Sequence, residues 1–183
     1  MLSNFELFDM AKQNKVKIHN IVFKSDLKRI NAQKNIVNLQ SNTRNAKGTH
    51  WTLFLKRGND TLFFDPFGGI TPLDVLQYSK GYTKGYNAYI IQDLSSDRCG
   101  SYCFGMLHYL TNNKGKLYTV ANEFINMFEH DTKGNDKILR TYFEDNNMNL
   151  LKIADVLNAI TVPMRVTITP GTLMLFRGNN TLH

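Results

Sequence analysis

Cysteine, proline and tryptophan are all scarce in this chain, which has two, four and one of them among 183 residues. The two cysteines, Cys99 and Cys103, stand four residues apart, so they are not the framework of a disulfide-rich secreted domain. If both lie on one helix, their geometry disfavours a mutual bridge. The scarcity of cysteine therefore favours a reducing compartment.

Long apolar runs are also missing. No run approaches the roughly 18 residues that a membrane-spanning helix requires. The N-terminal segment MLSNFELFDMAKQ carries acids early and has no long apolar core, so we expect neither a secretory signal nor a membrane partner. With 42% hydrophobic residues, the chain is long enough to bury a core without a disulfide or a metal. We therefore expect one domain over residues 1–183, and a monomer.

Acidic residues are few in the first part of the chain. Residues 1–50 contain nine Lys or Arg and three Asp or Glu, so they carry +6 of the total formal charge of +7. Such an excess indicates a polyanion nearby, either nucleic acid or an acidic protein segment. The alternative interpretation is a basic surface that is only solvated.

The clearest local pattern is HWTLFLKRGNDTLFFDPFGG, in which two apolar runs flank a turn-rich break. This pattern predicts a β-hairpin whose strands are covered on both faces. KIHNIVF and NAYIIQ also read as strands, whereas residues 24–49 are polar and mixed with only a weak helical signal. The tail TVPMRVTITPGTLMLF holds β-type residues interrupted by two prolines.

Helix signals surround these strands. Ser3 and Glu6 have the spacing of a capping box, and Thr71 with Pro72 opens PLDVLQYSK. Ser96 or Asp97 should cap a helix through RCGSYCFGMLHYL, and further helices fit VANEFINMFEH, DKILRTYFED and LLKIADVLNAI. The fold class is therefore α+β, with a central mixed or antiparallel sheet flanked by helices.

Cys99 stands in the first turn of its predicted helix. With Asp97 as the N-cap, Cys99 is the second helical residue, where unpaired backbone N–H groups and the helix dipole favour a thiolate. Gly100 follows, and its missing Cβ would let a substrate backbone come close. Cys103 is in register with Leu107 and Leu110, so it should face the core. Cys99 is thus either a nucleophile or an ordinary buried thiol.

His50 is the histidine best placed to assist a thiol. It opens the first hairpin strand, and Asp65 ends the second. A turn centred on Arg57-Gly58 pairs His50 with Asp65, and one centred on Gly58-Asn59 pairs Asp65 with Thr52. Either register leaves the two side chains within reach on one sheet edge. An aspartate that orients an imidazole is the third member of a Cys-His-acid triad, although a purely structural pair is the alternative.

Gln92 is the fourth residue of interest. It stands seven residues before Cys99, on the loop that leads to the cysteine. Its side-chain amide could donate to a developing oxyanion beside the Cys99 N–H, or it could simply be solvated.

Taken together, GTHWTLFL, LFFDPFG and IQDLSSDRCGSYCFGMLHYL resemble the adenovirus-type (adenain-like) cysteine proteases, which are related to the ubiquitin-like-protein proteases. The shared pattern is His-Trp, then an acid before Pro-Phe-Gly, then Gln, six residues and Cys-Gly. It covers residues 48–110, between a basic N-terminal region (1–47) and a helical and C-terminal region (115–183). The resemblance implies the papain-like fold of the adenain type, with the catalytic residues His50 as base, Asp65 as orienter, Cys99 as nucleophile and Gln92 in the oxyanion hole.

The resemblance also implies a cysteine endopeptidase that cleaves viral capsid precursors after glycine-rich sites through a thioester. Such an enzyme would work in the virion and in the cytoplasm or nucleus of the infected cell. Relatives use DNA and a disulfide-linked peptide as cofactors, but both cysteines here lie in the nucleophile helix, so none is left for that peptide. No cofactor is required by the sequence, and DNA is the candidate activator.

Three alternative functions are considered. Two of them would use the same catalytic residues, and the third would not need them. An aspartate in place of the adenovirus-type glutamate leans toward a protease that deconjugates ubiquitin-like proteins. An acyltransferase of the same fold would pass the acyl group to an amine, and a catalytically silent capsid or DNA-binding protein would need no triad. A zinc site is not predicted, since no further ligands cluster with the two cysteines.

Overall fold

The computed structural model describes residues 2–29, 34–38 and 50–148. The helices are α1 (Asn4–Gln13), α2 (Leu73–Tyr78), α3 (Cys99–Asn112), α4 (Leu117–Ile125) and α5 (Asn135–Asp145). The strands are β1 (Asn20–Phe23), β2 (Lys34–Asn38), β3 (Trp51–Arg57), β4 (Asp60–Phe64) and β5 (Thr83–Tyr86). Two short 3-10 helices span Lys24–Arg29 and Thr132–Gly134.

The five strands form one mixed sheet in the order β1-β2-β3-β4-β5. The outer pairs, β1 with β2 and β4 with β5, are parallel, whereas the two inner pairs are antiparallel. The predicted class is therefore confirmed: the fold is α+β, with a mixed sheet flanked by helices.

The β3–β4 hairpin adopts the second of the two predicted registers. Arg57 pairs with Asp60 and Leu53 with Phe64, so the turn lies at Gly58-Asn59. Gly58 has a φ of 59°, a left-handed conformation that glycine adopts without steric cost. Asp65 follows the last pair, and this brings it to the edge where β3 begins.

Both faces of the sheet are covered, as the apolar hairpin strands predict. On one face, Phe54 and Phe63 pack with Val75 of α2 and Leu27 of the first 3-10 helix. On the other face, α3 packs against β3 and is itself contacted by α1, α4 and α5. Helix α3 is consequently buried along most of its length, and its first residue, Cys99, is held between the sheet and the helices.

Several predicted elements need correction. NAYIIQ is not a strand: β5 lies just before it, and residues 87–92 are irregular because the N–H groups of Ile91 and Gln92 both donate to the Pro66 carbonyl. Strand β2 falls where only a weak helical signal was seen. Its apolar centre is just Ile36 and Val37, which is too short to show a period.

The starts of two helices also differ from prediction. Pro72 is the N-cap of α2 and not its first residue. Arg98, rather than Ser96 or Asp97, occupies the N-cap position of α3, without a side-chain cap hydrogen bond, so Cys99 is the first helical residue and not the second. The Ser96 hydroxyl donates to the Asp136 carboxylate of α5, and its oxygen accepts from the Arg98 N–H at 3.3 Å, one residue before the helix begins. By contrast, the capping box of Ser3 and Glu6 at α1 is confirmed.

Some predictions fall outside the described residues. These are the helix LLKIADVLNAI and the β-type tail after it. The single domain over residues 1–183 therefore stays a prediction. Among the helices in the described ranges, none combines the length and the hydrophobicity needed to cross a bilayer.

Candidate active site

His50 and Asp65 meet at the open end of the β3–β4 hairpin. The Nε2 atom of His50 lies 2.7 Å from Oδ1 of Asp65, and the side chains are 16% and 5% exposed. The same Oδ1 accepts a hydrogen bond of 2.9 Å from the N–H of Phe67, whose ring stacks on the imidazole at a centroid distance of 4.8 Å. The carboxylate and the imidazole therefore hold each other in one orientation.

Both cysteines contact the residue that follows His50. The backbone N–H of Trp51 donates to Sγ of Cys99 at 3.4 Å, and Sγ of Cys103 donates to the Trp51 carbonyl at 3.3 Å. Both thiols are free, and they have opposite hydrogen-bonding roles toward the backbone of Trp51. Sγ of Cys99 accepts a hydrogen bond from this backbone, whereas Sγ of Cys103 donates one to it.

The interaction of His50 with its neighbours favours its charged form. Burial by itself lowers the pKa of His50, but hydrogen bonds to Asp65 and Cys99 and the negative charge of both groups outweigh it and raise the pKa to about 9. Since Asp65 occupies Nε2, the Nδ1 atom is the one left to exchange a proton with Cys99. Nδ1 is buried and has no hydrogen-bond partner among the described residues, so this nitrogen is unoccupied by any other group.

Cys103 has the opposite environment. It is fully buried, and burial raises the pKa of its thiol well above the ordinary value, with a further contribution from the charges of Cys99 and Asp65. The prediction that Cys103 faces the core is confirmed. Of the two thiols, Cys99 is the one that both raises the pKa of His50 and accepts a backbone N–H.

Gln92 is fully buried at the start of the loop that leads to Cys99. Its Nε2 donates to the Ser96 carbonyl at 2.8 Å, while Oε1 has no partner among the described residues. No hydrogen bond joins Gln92 to Cys99. A role for the second N–H of this amide in an oxyanion hole thus stays a prediction.

The loop between Gln92 and Cys99 is tied to α5 by one carboxylate. Asp136 accepts hydrogen bonds from the hydroxyls of Ser96 (2.9 and 3.1 Å) and Tyr102 (3.0 Å) and forms an ion pair with Arg98 (3.3 Å). These contacts fix the residues on both sides of Cys99. The nucleophile candidate therefore sits in a loop-to-helix junction that α5 holds in place.

Gly100 does not open toward a substrate, contrary to the sequence-based expectation. A Cβ at this position would lie 3.2 Å from the Trp51 ring and 3.4 Å from Leu2. The Trp51 indole N–H also donates to the Leu2 carbonyl at 2.9 Å. The small size of Gly100 accommodates Trp51 and the N-terminal segment, so Trp51 is a packed aromatic of the core.

The remaining described histidines are engaged elsewhere. His108 lies between Tyr142 (2.7 Å) and Asn112 (2.8 Å), and Nδ1 of His19 accepts from the Lys34 N–H. The ring of His130 packs against that of Tyr89 at a centroid distance of 5.8 Å. No group of three or more His, Cys, Asp or Glu side chains in the described ranges could hold a metal ion. Among the described histidines, His50 is thus the one that interacts with Cys99.

Two residues of the site were not predicted from the sequence: Asn87, which holds Asp65, and Asp136, which holds the Cys99 loop. Asn87 directly follows β5, and Asp65 directly follows the neighbouring strand β4, so an asparagine at that strand end was the available signal. No sequence signal marked Asp136, because it lies about forty residues from Ser96 in the chain.

No family model and no curated protein sequence matches the chain. Among solved structures, the chain is similar to the one described as the crystal structure of the ASFV pS273R protease. The two share 15% sequence identity over 81% of this chain and 67% of that one, with a TM-score of 0.49. A similarity of this size is too weak to transfer a residue role or an activity.

Proposed function

We propose that this protein is a cysteine peptidase in which Cys99, His50 and Asp65 form the catalytic triad. The observation that carries the proposal is their convergence. The imidazole of His50 lies 2.7 Å from the Asp65 carboxylate and interacts with the Cys99 thiol, although the three residues come from the two ends of a hairpin and the start of a helix. A raised His50 pKa is what an imidazolium paired with a thiolate requires.

Acylation would begin with the thiolate of Cys99. Its sulfur attacks the scissile carbonyl carbon, and the carbonyl electrons move to the oxygen. The first intrahelical bond of α3 runs from the Tyr102 N–H to Arg98, so the Cys99 N–H has no intrahelical partner and can stabilise that oxyanion. When the intermediate collapses, the C–N bond breaks and the imidazolium of His50 gives its proton to the leaving amine. A thioester on Cys99 remains.

Deacylation reverses the role of His50. The neutral imidazole removes a proton from water, and the hydroxide oxygen attacks the thioester carbon. Collapse breaks the C–S bond, which releases the carboxylic acid and restores the thiolate-imidazolium pair. Asp65 keeps the imidazole oriented through both steps and stabilises its charged form.

The substrate class is proposed from the family resemblance of residues 48–110. This resemblance supports an enzyme that cleaves viral capsid precursors after glycine-rich sites. We expect it to act as a monomer, within the virion or the infected cell. DNA is proposed as a non-specific partner and candidate activator because of the basic residues 1–50. The runner-up is deconjugation of ubiquitin-like proteins, which the aspartate at position 65 favours.

A library of glycine-rich peptides tests the proposal. The native protein should cleave a subset of them, and Cys99→Ala should abolish cleavage, whereas the matched Cys103→Ala variant should retain it. The library should include peptides with a ubiquitin-like C-terminal tail and an assay with added amine, in which a mass gain on the amine reveals acyl transfer. Absence of cleavage and of acyl transfer by a folded native protein contradicts the proposal.

A further inference from the structure

Asn87 holds the backbone of Asp65 at the point where β4 and β5 separate. The last strand pair is Phe63 with Tyr86, and Asn87 is the next residue. Its Oδ1 accepts from the N–H of Asp65 at 2.8 Å, and its Nδ2 donates to the carbonyl of Asp65 at 2.6 Å. The side-chain amide thus replaces the backbone ladder that the two strands would otherwise continue.

The Asn87 amide is completely used in this arrangement. Its second N–H donates to the carbonyl of Tyr89 at 3.1 Å, and the residue is only 4% exposed. A buried amide with all donors and its acceptor engaged has one orientation and resists displacement. Both peptide groups that flank the Asp65 side chain are therefore fixed by a residue 22 positions away.

We infer that Asn87 is a positioning residue, which sets the place of Asp65 and thereby the proton affinity of His50. The inference rests on the proposed function and extends it to a residue that no motif contains. Asn87 forms no hydrogen bond with His50 or Cys99, so it acts only through Asp65. The charged groups that interact with His50 itself are Asp65 and Cys99.

The position of the carboxylate matters because its contact with His50 is short. At 2.7 Å the hydrogen bond tolerates little displacement before its strength falls. The Phe67 N–H holds the same Oδ1, but it belongs to the chain that follows Asp65 and moves with it. Asn87 connects the backbone of Asp65 to the end of a different strand, β5. Loss of these hydrogen bonds should let the whole Asp65 residue, including its carboxylate, move.

The test is an NMR titration of the His50 imidazole combined with peptide kinetics. In Asn87→Ala, the His50 titration should move to lower pH than in the native protein, and kcat should fall about tenfold or more, with KM changed less than about threefold. Ser79→Ala is the matched control, because it removes another buried side chain that bonds to backbone carbonyls, those of Val75 and Leu76. It should leave both measurements unchanged.

Asn87→Asp is the second variant, since it preserves the volume and the acceptor but removes both donors. It should show the same fall in kcat. A folded Asn87 variant with a native His50 titration and a native kcat overturns the inference. Failure of both variants to fold also overturns it, because Asn87 would then serve the fold and not the position of Asp65 alone. The His50 titration needs no substrate, so an inactive native protein would overturn the proposed function without removing this test.

Discussion

The side chains of His50 and Asp65 lie 2.7 Å apart at the open end of the β3–β4 hairpin. The turn at Gly58-Asn59 sets this distance, because it leaves Asp65 one residue past the last strand pair. The acid therefore reaches the imidazole from the neighbouring strand, with its carboxylate also bound to the Phe67 N–H. This short-range relationship is the basis of the proposed triad, which Cys99 would complete from the start of α3.

Replacement of Asp65 by asparagine should separate orientation from structure. Asn can still accept the Phe67 N–H bond, but it cannot stabilise an imidazolium and can hold the wrong tautomer. By analogy with other triads, we expect Asp65→Asn to fold and to lose about 10²- to 10⁴-fold in kcat. Steady-state kinetics and thermal unfolding check this. Asp145→Asn, an exposed change on α5, should be neutral, and a near-native kcat in Asp65→Asn would make the His50–Asp65 pair merely structural.

The raised pKa of His50 predicts a pH-dependent stability. Its folded value of about 9 lies above the ordinary 6.5, so the interaction stabilises the fold fully below about pH 6.5 and is lost as the pH rises through about 9. The difference in unfolding free energy between the native protein and Asp65→Asn should therefore be largest at low pH within this range and shrink above it. Urea unfolding at several pH values measures it, and a difference that grows with pH would show that the sign is wrong.

Asp136 should matter for the loop that presents Cys99. Its replacement by alanine leaves the hydroxyls of Ser96 and Tyr102 without their charged acceptor and Arg98 without its ion pair. Hydrogen bonds to charged groups contribute about 1.5–3 kcal/mol each, and the partial exposure of Asp136 reduces this, so we expect a loss of about 1–3 kcal/mol in unfolding free energy. Asp145→Ala is the control on the same helix. Equal stability of the two variants would contradict the anchoring role.

The basic N-terminal region predicts non-specific binding of DNA. If about six phosphates are contacted, affinity should fall about 10³-fold between about 50 and 200 mM salt and depend little on sequence. Lys12, Lys15 and Lys17 are exposed, and their replacement by glutamate should weaken binding without changing peptide cleavage in the absence of DNA.

The control for charge alone is glutamate at the exposed lysines 114, 133 and 137. Fluorescence anisotropy with a random-sequence duplex measures both variants. Binding that is absent at low salt, insensitive to salt, or equally weakened by both triple substitutions would leave the basic N-terminal region without a specific role in DNA binding.

The sequence was most informative where contacts are local. The hairpin register brought His50 and Asp65 together because their separation is fixed by one turn, and the period of α3 placed Cys103 in the core. Contacts that depend on distant elements could not be predicted: Asn87 reaches Asp65 over 22 positions, and Asp136 reaches Ser96 over 40. The predicted N-cap of α3 was also wrong: the Ser96 oxygen accepts from the N–H of Arg98, which precedes the first helical residue, while its hydroxyl donates to the distant Asp136.

Covalent trapping of the nucleophile tests the central claim most directly. A peptide that ends in glycine and carries a thiol-reactive electrophile in place of the scissile bond is incubated with the native protein, and the adduct is located by intact mass and peptide mapping. We predict one adduct, on Cys99, that is lost in His50→Ala, while Cys103 stays unmodified. An adduct on Cys103, or a Cys99 that reacts equally fast without His50, would contradict the assignment of Cys99 as an activated nucleophile.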